Sequence, residues 1–181
     1  MDLSKKEFEL SGEVKRKLAL PNPKADIGCG LNRHEKEKEE YIYIDGDGAF
    51  GIDIVCDWND IPLPSDSLME IHTSDTVEHI KTWEYDKTLP EWNRLLKIGG
   101  KIWGTTPDRD FVIKCAYEKT KDKEWQQNNL YGHGAGFQHT HYTTFTRESI
   151  NELFQKYGFS ECTFGDTNEW IHFTFTKIKN I

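Results

Sequence analysis

The chain has 181 residues, 36% of them hydrophobic, 30% charged and 13% aromatic, a length that suits one domain with its own core and a composition too aromatic for a disordered chain. Its formal net charge of -8 disfavours capture of nucleic acid, which rests on Lys and Arg neutralising phosphates. No apolar run reaches membrane-spanning length and the start, Met1-Asp2-Leu3-Ser4-Lys5-Lys6, lacks the apolar core of a secretion signal, so the expectation is a cytoplasmic protein with no membrane partner.

In chain order, Ser4 and Glu7 have capping-box spacing ahead of Phe8, Val14 and Leu18, which predicts a first helix over 4–18. Pro21 and Pro23 stop it and deliver the chain to a strand at 25–27. The charged segment 31–40 is expected to be a short, exposed crossover helix, followed by a strand at 41–45. Two further strands are expected at 52–56 and 68–73, separated by the turn-rich stretch Ile61-Pro62-Leu63-Pro64-Ser65-Asp66-Ser67. Trp83, Leu89, Trp92, Leu95 and Leu96 set a helical register over 82–97, with Pro90 suggesting a break or late start and Gly99-Gly100 its end. A strand at 101–106 is followed by a loop through Pro107 and Asp108 into 111–117. Periodicity is lost from 120 to 144. It returns as a helix over 147–157, with Thr146 as N-cap, Ile150, Leu153 and Phe154 as its buried side and Gly158 as its stop. Strands at 159–164 and 170–177, joined at Gly165-Asp166, would pair antiparallel at the sheet edge. Strands alternating with helices imply a mostly parallel, three-layer α/β/α sheet.

The chemistry concentrates at Asp26-Ile27-Gly28-Cys29-Gly30 and at Asp45, which closes the second strand. Glycines in a strand-to-helix turn let main-chain N–H groups approach a ligand, and a carboxylate at a neighbouring strand tip can grasp a ribose diol. A dinucleotide fingerprint wants a third glycine where Arg33 stands, and no Gly-Lys-Ser or Gly-Lys-Thr follows to cradle phosphates. Asp26, Asp45, Asp57, Asp75 and Glu78 all fall at or near expected strand ends, a cluster that repels phosphate and suits a cation. Cys29, Cys56, Cys115 and Cys162 are widely spaced and form no Cys-x-x-Cys pair, so reduced thiols are expected, with neither a zinc site nor a redox motif.

These residues resemble the class I S-adenosylmethionine-dependent methyltransferases, in particular their Methyltransferase-11/12-like branch. Asp26-Ile27-Gly28-Cys29-Gly30 is similar to the family's first motif and Asp45 to the acid closing its second strand. Cys56-Asp57-Trp58-Asn59-Asp60-Ile61-Pro62-Leu63 resembles an acid-to-Leu-Pro-Phe segment, and Ser74-Asp75-Thr76-Val77-Glu78-His79-Ile80 a Leu-Glu-His stretch. Trp92-Asn93-Arg94-Leu95-Leu96-Lys97-Ile98-Gly99-Gly100 resembles Arg-Val-Leu-Lys-Pro-Gly-Gly, with Ile98 in place of the usual proline. The resemblance implies a Rossmann-like fold, a seven-stranded sheet with a reversed last strand, and S-adenosyl-L-methionine as cofactor. By position it puts Asp26 and the Gly28-Cys29-Gly30 backbone at the methionine part. Asp45 falls to the ribose, Asp57 with the Trp58 backbone to the adenine, and Ser74 and Asp75 to the pocket wall.

His79 is read as a base facing the transferred methyl or as a brace for its loop. His139 and His141, two apart, would share one face of an extended segment, but no carboxylate or cysteine lies near them in sequence, so no metal ligand set is assigned. The three histidines are the catalytic candidates, and the expected activity is methyl transfer to a small-molecule or glycan-like acceptor. The whole chain is expected to be one domain, with 1–23 as an N-terminal helical extension and 118–145 as a lid over the acceptor. A non-catalytic cofactor-binding module on the same fold and an NAD-dependent oxidoreductase are the alternatives.

Overall fold

The computed structural model describes residues 9–30, 40–48, 51–133, 139–165 and 169–181. Helix α1 (Gly12–Leu18) is shorter than expected and starts at Ser11, whose side chain accepts from Val14 N. The Ser4/Glu7 capping box and most of the expected crossover helix, 31–39, lie outside the described residues.

Seven strands, β1 (Lys24–Ile27), β2 (Tyr41–Asp45), β3 (Ile54–Val55), β4 (Leu68–His72), β5 (Leu96–Pro107), β6 (Thr163–Phe164) and β7 (Trp170–Thr176), form one sheet in the order β3-β2-β1-β4-β5-β7-β6. The β1–β2, β1–β4, β2–β3 and β4–β5 pairs are parallel, and β7 runs antiparallel to β5 and to β6. This is the expected Rossmann-like three-layer sandwich with its reversed final strand. Ala25, Asp26 and Ile27 of β1 and Tyr41 to Ile44 of β2 are all buried, as strands covered on both faces must be. From β1 the chain steps outward to β2 and β3, then returns to the other side of β1 as β4. That reversal opens a crevice beyond the carboxyl ends of β1, β2 and β4, where open α/β sheets hold ligands.

Helix α2 (Tyr85–Leu95), entered through a 3₁₀ turn at Thr82–Glu84, runs through Pro90 without ending there. The ring removes one backbone donor, but Tyr85, Thr88, Leu89, Trp92 and Leu95 bury one face of the helix and burial at about 1.5–3 kcal/mol per large apolar side chain outweighs that loss. Leu96 to Gly100, expected as helix and stop, instead begins β5, with a register shift opposite Leu68 to Glu70 of β4. The segment after Pro107 is helix α3 (Arg109–Glu118), capped by Asp108, whose side chain accepts from the N–H groups of Asp110 and Phe111. Within the stretch without periodicity lies α4 (Lys123–Tyr131), capped by Asp122.

Helix α5 (Arg147–Lys156) has the expected N-cap: Thr146 Oγ1 accepts from Ser149 N at 3.1 Å while Ser149 Oγ accepts from Thr146 N at 2.9 Å. Phe154 of α5 stacks on Phe175 of β7 with ring centroids 4.3 Å apart, and Phe159 and Phe173 complete an aromatic block under the reversed strand. Among the described residues no helix is long and apolar enough to cross a membrane.

Candidate functional site

A cavity of about 970 Å³ opens at the carboxyl ends of β1, β2 and β4, and every residue singled out from sequence lines it: Asp26, Gly28, Cys29, Gly30, Asp45, Asp57, Trp58, Ser74, Asp75, His79, His139 and His141. The registers explain the convergence. Ile27 pairs with Ile44 and Asp45 with Val55, so Gly28, Asp45 and Cys56 emerge side by side.

At the floor, Gly28 has φ +72° and packs so closely on Thr76 that a Cβ there would fall 2.4 Å from Thr76 Cγ2. Gly30 has φ +48°, and a Cβ there would meet nothing within 4 Å among the described residues, so the turn offers its backbone to the cavity. Asp45 Oδ2 accepts from Gly30 N at 2.8 Å and Oδ1 from Asp47 N at 2.9 Å. That clamp holds the carboxylate at the rim while leaving lone pairs for a diol, since each oxygen has two. Beneath the turn, Asp26 is buried; its Oδ1 lies 2.8 Å from His72 Nδ1, and its Oδ2 has no hydrogen-bond partner among the described residues. His72 Nε2 in turn lies 2.9 Å from Ser74 Oγ.

At one end of the cavity, the loop after β3 carries Asp57 and Trp58. Trp92, fully buried in α2, donates from Nε1 to Trp58 O at 2.9 Å. Arg94 fastens the following turn, donating to Leu63 O and Ile61 O while Glu91 accepts from Ile61 N. Burial, reinforced by the charges of Asp57, Asp60 and Glu91, pushes the Cys56 thiol up to about 12.

At the other end, a 3₁₀ turn at Val77–His79 places Glu78 and His79 under the segment that follows α4. Glu78 O accepts from Tyr142 N at 2.8 Å, which ties the two together. Glu78 is 1% exposed; its Oε2 accepts from Thr106 Oγ1 at 3.0 Å, and its Oε1 has no partner among the described residues. Burial, with the nearby charge of Asp75, pushes this carboxyl up to about 8. Asp75, held in the left-handed region at φ 51°, accepts from Thr105 Oγ1 at 3.1 Å, and its own carboxyl is raised by burial. His79 Nδ1 lies 3.0 Å from Thr140 O, and His141 Nδ1 lies 3.0 Å from Asn129 O. A carbonyl oxygen only accepts, so both Nδ1 atoms carry the proton of the neutral ring and both Nε2 atoms present lone pairs. Burial lowers the pKa of both rings, that of His141 to about 4.

His139 is exposed at the cavity wall while His141 is half-buried, its ring 4.8 Å from that of His79. The chain around them is a turn and an isolated bridge from Gly132 to Thr140 rather than an extended strand, so alternate residues need not share a face. Sequence reasoning missed His72, Asp47, Thr76, Pro107, Asn129 and Trp170, which also line the cavity. A histidine closing the strand Leu68–His72, next to the Ser74-Asp75 segment, is the available signal for His72.

The lining carries Asp26, Asp45, Asp47, Asp57, Asp75 and Glu78 but, among the described residues, neither Lys nor Arg. Such a wall repels a pyrophosphate and favours a ligand bearing a sulfonium and an ammonium. The buried Asp26 Oδ2, lacking a partner, and the open side of Gly30 fit such a ligand.

Comparison with known proteins agrees with this chemistry. A family described as a methyltransferase domain matches residues 22–161. No curated protein matches. Among solved structures, the chain is similar to an S-adenosylmethionine-dependent methyltransferase of Thermotoga maritima, described as a possible histamine N-methyltransferase, at 20% identity over 91% of this chain and 87% of that one, with a TM-score of 0.61. It is also similar to the Burkholderia thailandensis 1,6-didemethyltoxoflavin-N1-methyltransferase, solved with 1,6-didemethyltoxoflavin and S-adenosylhomocysteine, at 14% identity over 93% and 79% of the two chains and a TM-score of 0.61. A Methanosarcina mazei S-adenosylmethionine-dependent methyltransferase gives 14% identity over 86% and 92%, with a TM-score of 0.59. At these identities the structural likeness speaks for the fold, and the family match carries the assignment. With the glycine turn, the acid at the second strand tip and the matched domain in agreement, the chain belongs to the methyltransferase-domain family as a class I enzyme that uses S-adenosyl-L-methionine.

Proposed function

We propose that this enzyme transfers the methyl group to a small-molecule or glycan-like acceptor by in-line displacement, with the acceptor seated against Glu78, His79 and His141. The cofactor supplies a methyl already activated on sulfonium. The protein's task is therefore alignment, an effect that reaches about 7–11 kcal/mol in well-oriented systems. In this reading Asp26 and the Gly28 to Gly30 backbone receive the methionine part and Asp45 accepts from the ribose hydroxyls. Asp57 accepts from the adenine amine, the Trp58 N–H donates to a ring nitrogen, and Ser74 and Asp75 wall the sulfur side. The segment 118–145 acts as the lid, and 1–23 is an extension, anchored where Lys17 of α1 donates to Asp53 at 2.7 Å.

The observation that carries this reading is the polarity of the two cavity ends. One end is a cationic-ligand cradle of carboxylates and glycine backbone. The other presents two imidazoles whose Nε2 lone pairs can take a hydrogen bond or a proton from an acceptor. The small molecules in the descriptions of the Thermotoga and Burkholderia proteins are in keeping with an acceptor that fits beside the cofactor in about 970 Å³.

Thermal denaturation with S-adenosylmethionine, S-adenosylhomocysteine and NAD tests it, because a ligand preferring the native state raises the midpoint. Stabilisation by the first two, with transfer of labelled methyl to a low-molecular-weight fraction of cell extract, is the expected result. Stabilisation without transfer to any fraction would make the chain a cofactor-binding module, and stabilisation by NAD alone would overturn the reading.

A further inference from the structure

Glu78, His79 and His141 each offer one ligand atom, and these atoms lie within 4.8 Å of one another. Glu78 and His79 come from the turn after β4 and His141 from beyond α4, so three residues from two separate parts of the chain meet at one point.

Each residue arrives prepared. The His79 and His141 rings are oriented by Nδ1–H donation to Thr140 O and Asn129 O, both at 3.0 Å. A backbone carbonyl behind an imidazole is the usual outer support of a metal-bound histidine, fixing the tautomer and leaving Nε2 to coordinate. Glu78 is held through Oε2 by Thr106, while its Oε1 is buried and has no partner among the described residues. An unpaired buried carboxylate oxygen costs stability that a cation would restore. Ligands about 2.1 Å from a tetrahedral ion stand roughly 3.4 Å apart, so side-chain rotations moving these atoms by about an ångström complete the cradle. Asp75 adds negative charge nearby, and the cavity lining brings no Lys or Arg among the described residues.

We infer that Glu78, His79 and His141 bind one divalent first-row transition-metal ion, whose open positions hold an oxygen atom of the acceptor beside the methyl donor. Two imidazoles and one carboxylate suit zinc, cobalt or iron rather than calcium or magnesium, which favour all-oxygen sets. The ion would also staple the segment after α4 to the sheet. This assignment rests on the acceptor-side reading above and deepens it: the two Nε2 lone pairs hold the ion instead of the acceptor's proton, and the acceptor class narrows to oxygen donors, a hydroxyl or vicinal diol, because coordination lowers the pKa of a bound O–H so that its proton passes to water before the oxygen takes the methyl and the sulfonium leaves as a neutral thioether.

The test is a titration of the metal-free full-length protein with Co²⁺, read by visible ligand-field absorption and followed by Zn²⁺ displacement, on wild type, His141→Ala and Glu78→Gln. S-adenosylhomocysteine affinity is measured on the same samples. One equivalent bound by wild type, with Co²⁺ affinity weakened at least about 100-fold in both variants, is the expected result; loss of a mere supporting partner costs about 10–100-fold. His141 lies outside every helix and strand, so that variant still reports should Glu78→Gln disturb the fold. Absence of Co²⁺ and Zn²⁺ binding in wild type, or equal binding in the variants, would overturn the metal site. If S-adenosylhomocysteine still binds in that case, the cofactor reading stands and Glu78 is a protonated partner of the imidazoles. Failure of wild type to bind S-adenosylhomocysteine would instead count against the proposed function.

Discussion

His72 Nδ1 lies 2.8 Å from Asp26 Oδ1, joining β4 to β1 directly beneath the glycine turn. The carboxylate is 1% exposed and its other oxygen has no partner among the described residues, so the imidazole is its principal support. His72→Ala is expected to cost about 1–3 kcal/mol, the penalty for stranding a buried acceptor, and to weaken S-adenosylhomocysteine binding because Ser74 loses the ring that orients it. Urea denaturation gives the first quantity as a lowered midpoint at unchanged slope, and calorimetry the second.

Gly28→Ala should destabilise by about 1–3 kcal/mol, because the new methyl collides with Thr76 and the residue sits at φ +72°. Gly12→Ala is the contrasting case. Gly12 opens α1, and a methyl group added there would have nothing within 4 Å among the described residues, so that change should be neutral or stabilise by up to about 1 kcal/mol. Thermal melts of the two variants check the contrast.

Much of this arrangement is legible in the chain itself. Burial alternation in β7, the Thr146 cap and the strand-turn-strand around Gly28 are local signals, each written within a few residues. Helix α4 leaves almost none: Lys123–Tyr131 buries no residue, so its sequence has no apolar stripe to display, and only Asp122 accepting from Trp125 N marks its start. Gly99-Gly100 suggests a helix stop, yet Gly99 N donates to Lys177 O and Lys177 N to Gly100 O, partners supplied from far along the chain. The meeting of Glu78 and His79 with His141 is of the same kind. A carboxylate sought near His141 along the sequence is not found, because the partner arrives through the packing of one segment over another.

The raised Cys56 thiol carries a pH signature. In the folded chain it keeps its proton toward about 12, above its ordinary value of 9.0. The unfolded chain loses that proton first, so it binds fewer protons than the native state above pH 9 and stability falls as pH rises. Stability from this group is fully present below pH 9 and lost on the way to about pH 12. Alkaline melts should therefore decline less steeply in Cys56→Ser than in wild type, and iodoacetamide should label folded Cys56 more slowly than the same thiol in urea.

Trp92→Phe removes the donor that holds Trp58 O while keeping an aromatic ring in the core. Loss of the hydrogen bond and a small cavity together should cost about 1–3 kcal/mol. If the Asp57-Trp58 loop receives the adenine, affinity for S-adenosylhomocysteine should fall while affinity for homocysteine alone does not change, a comparison made by competition calorimetry.

Isothermal titration of S-adenosylhomocysteine into wild type and Asp45→Ala addresses the cofactor site most directly, with a ligand-free melt of each protein to register any loss from the Gly30 and Asp47 contacts. Removing a charged acceptor of the ribose diol should weaken binding by about 10- to 100-fold, corresponding to about 1.5–3 kcal/mol. Undiminished affinity in a folded Asp45→Ala protein would contradict a ribose held at the tip of the second strand.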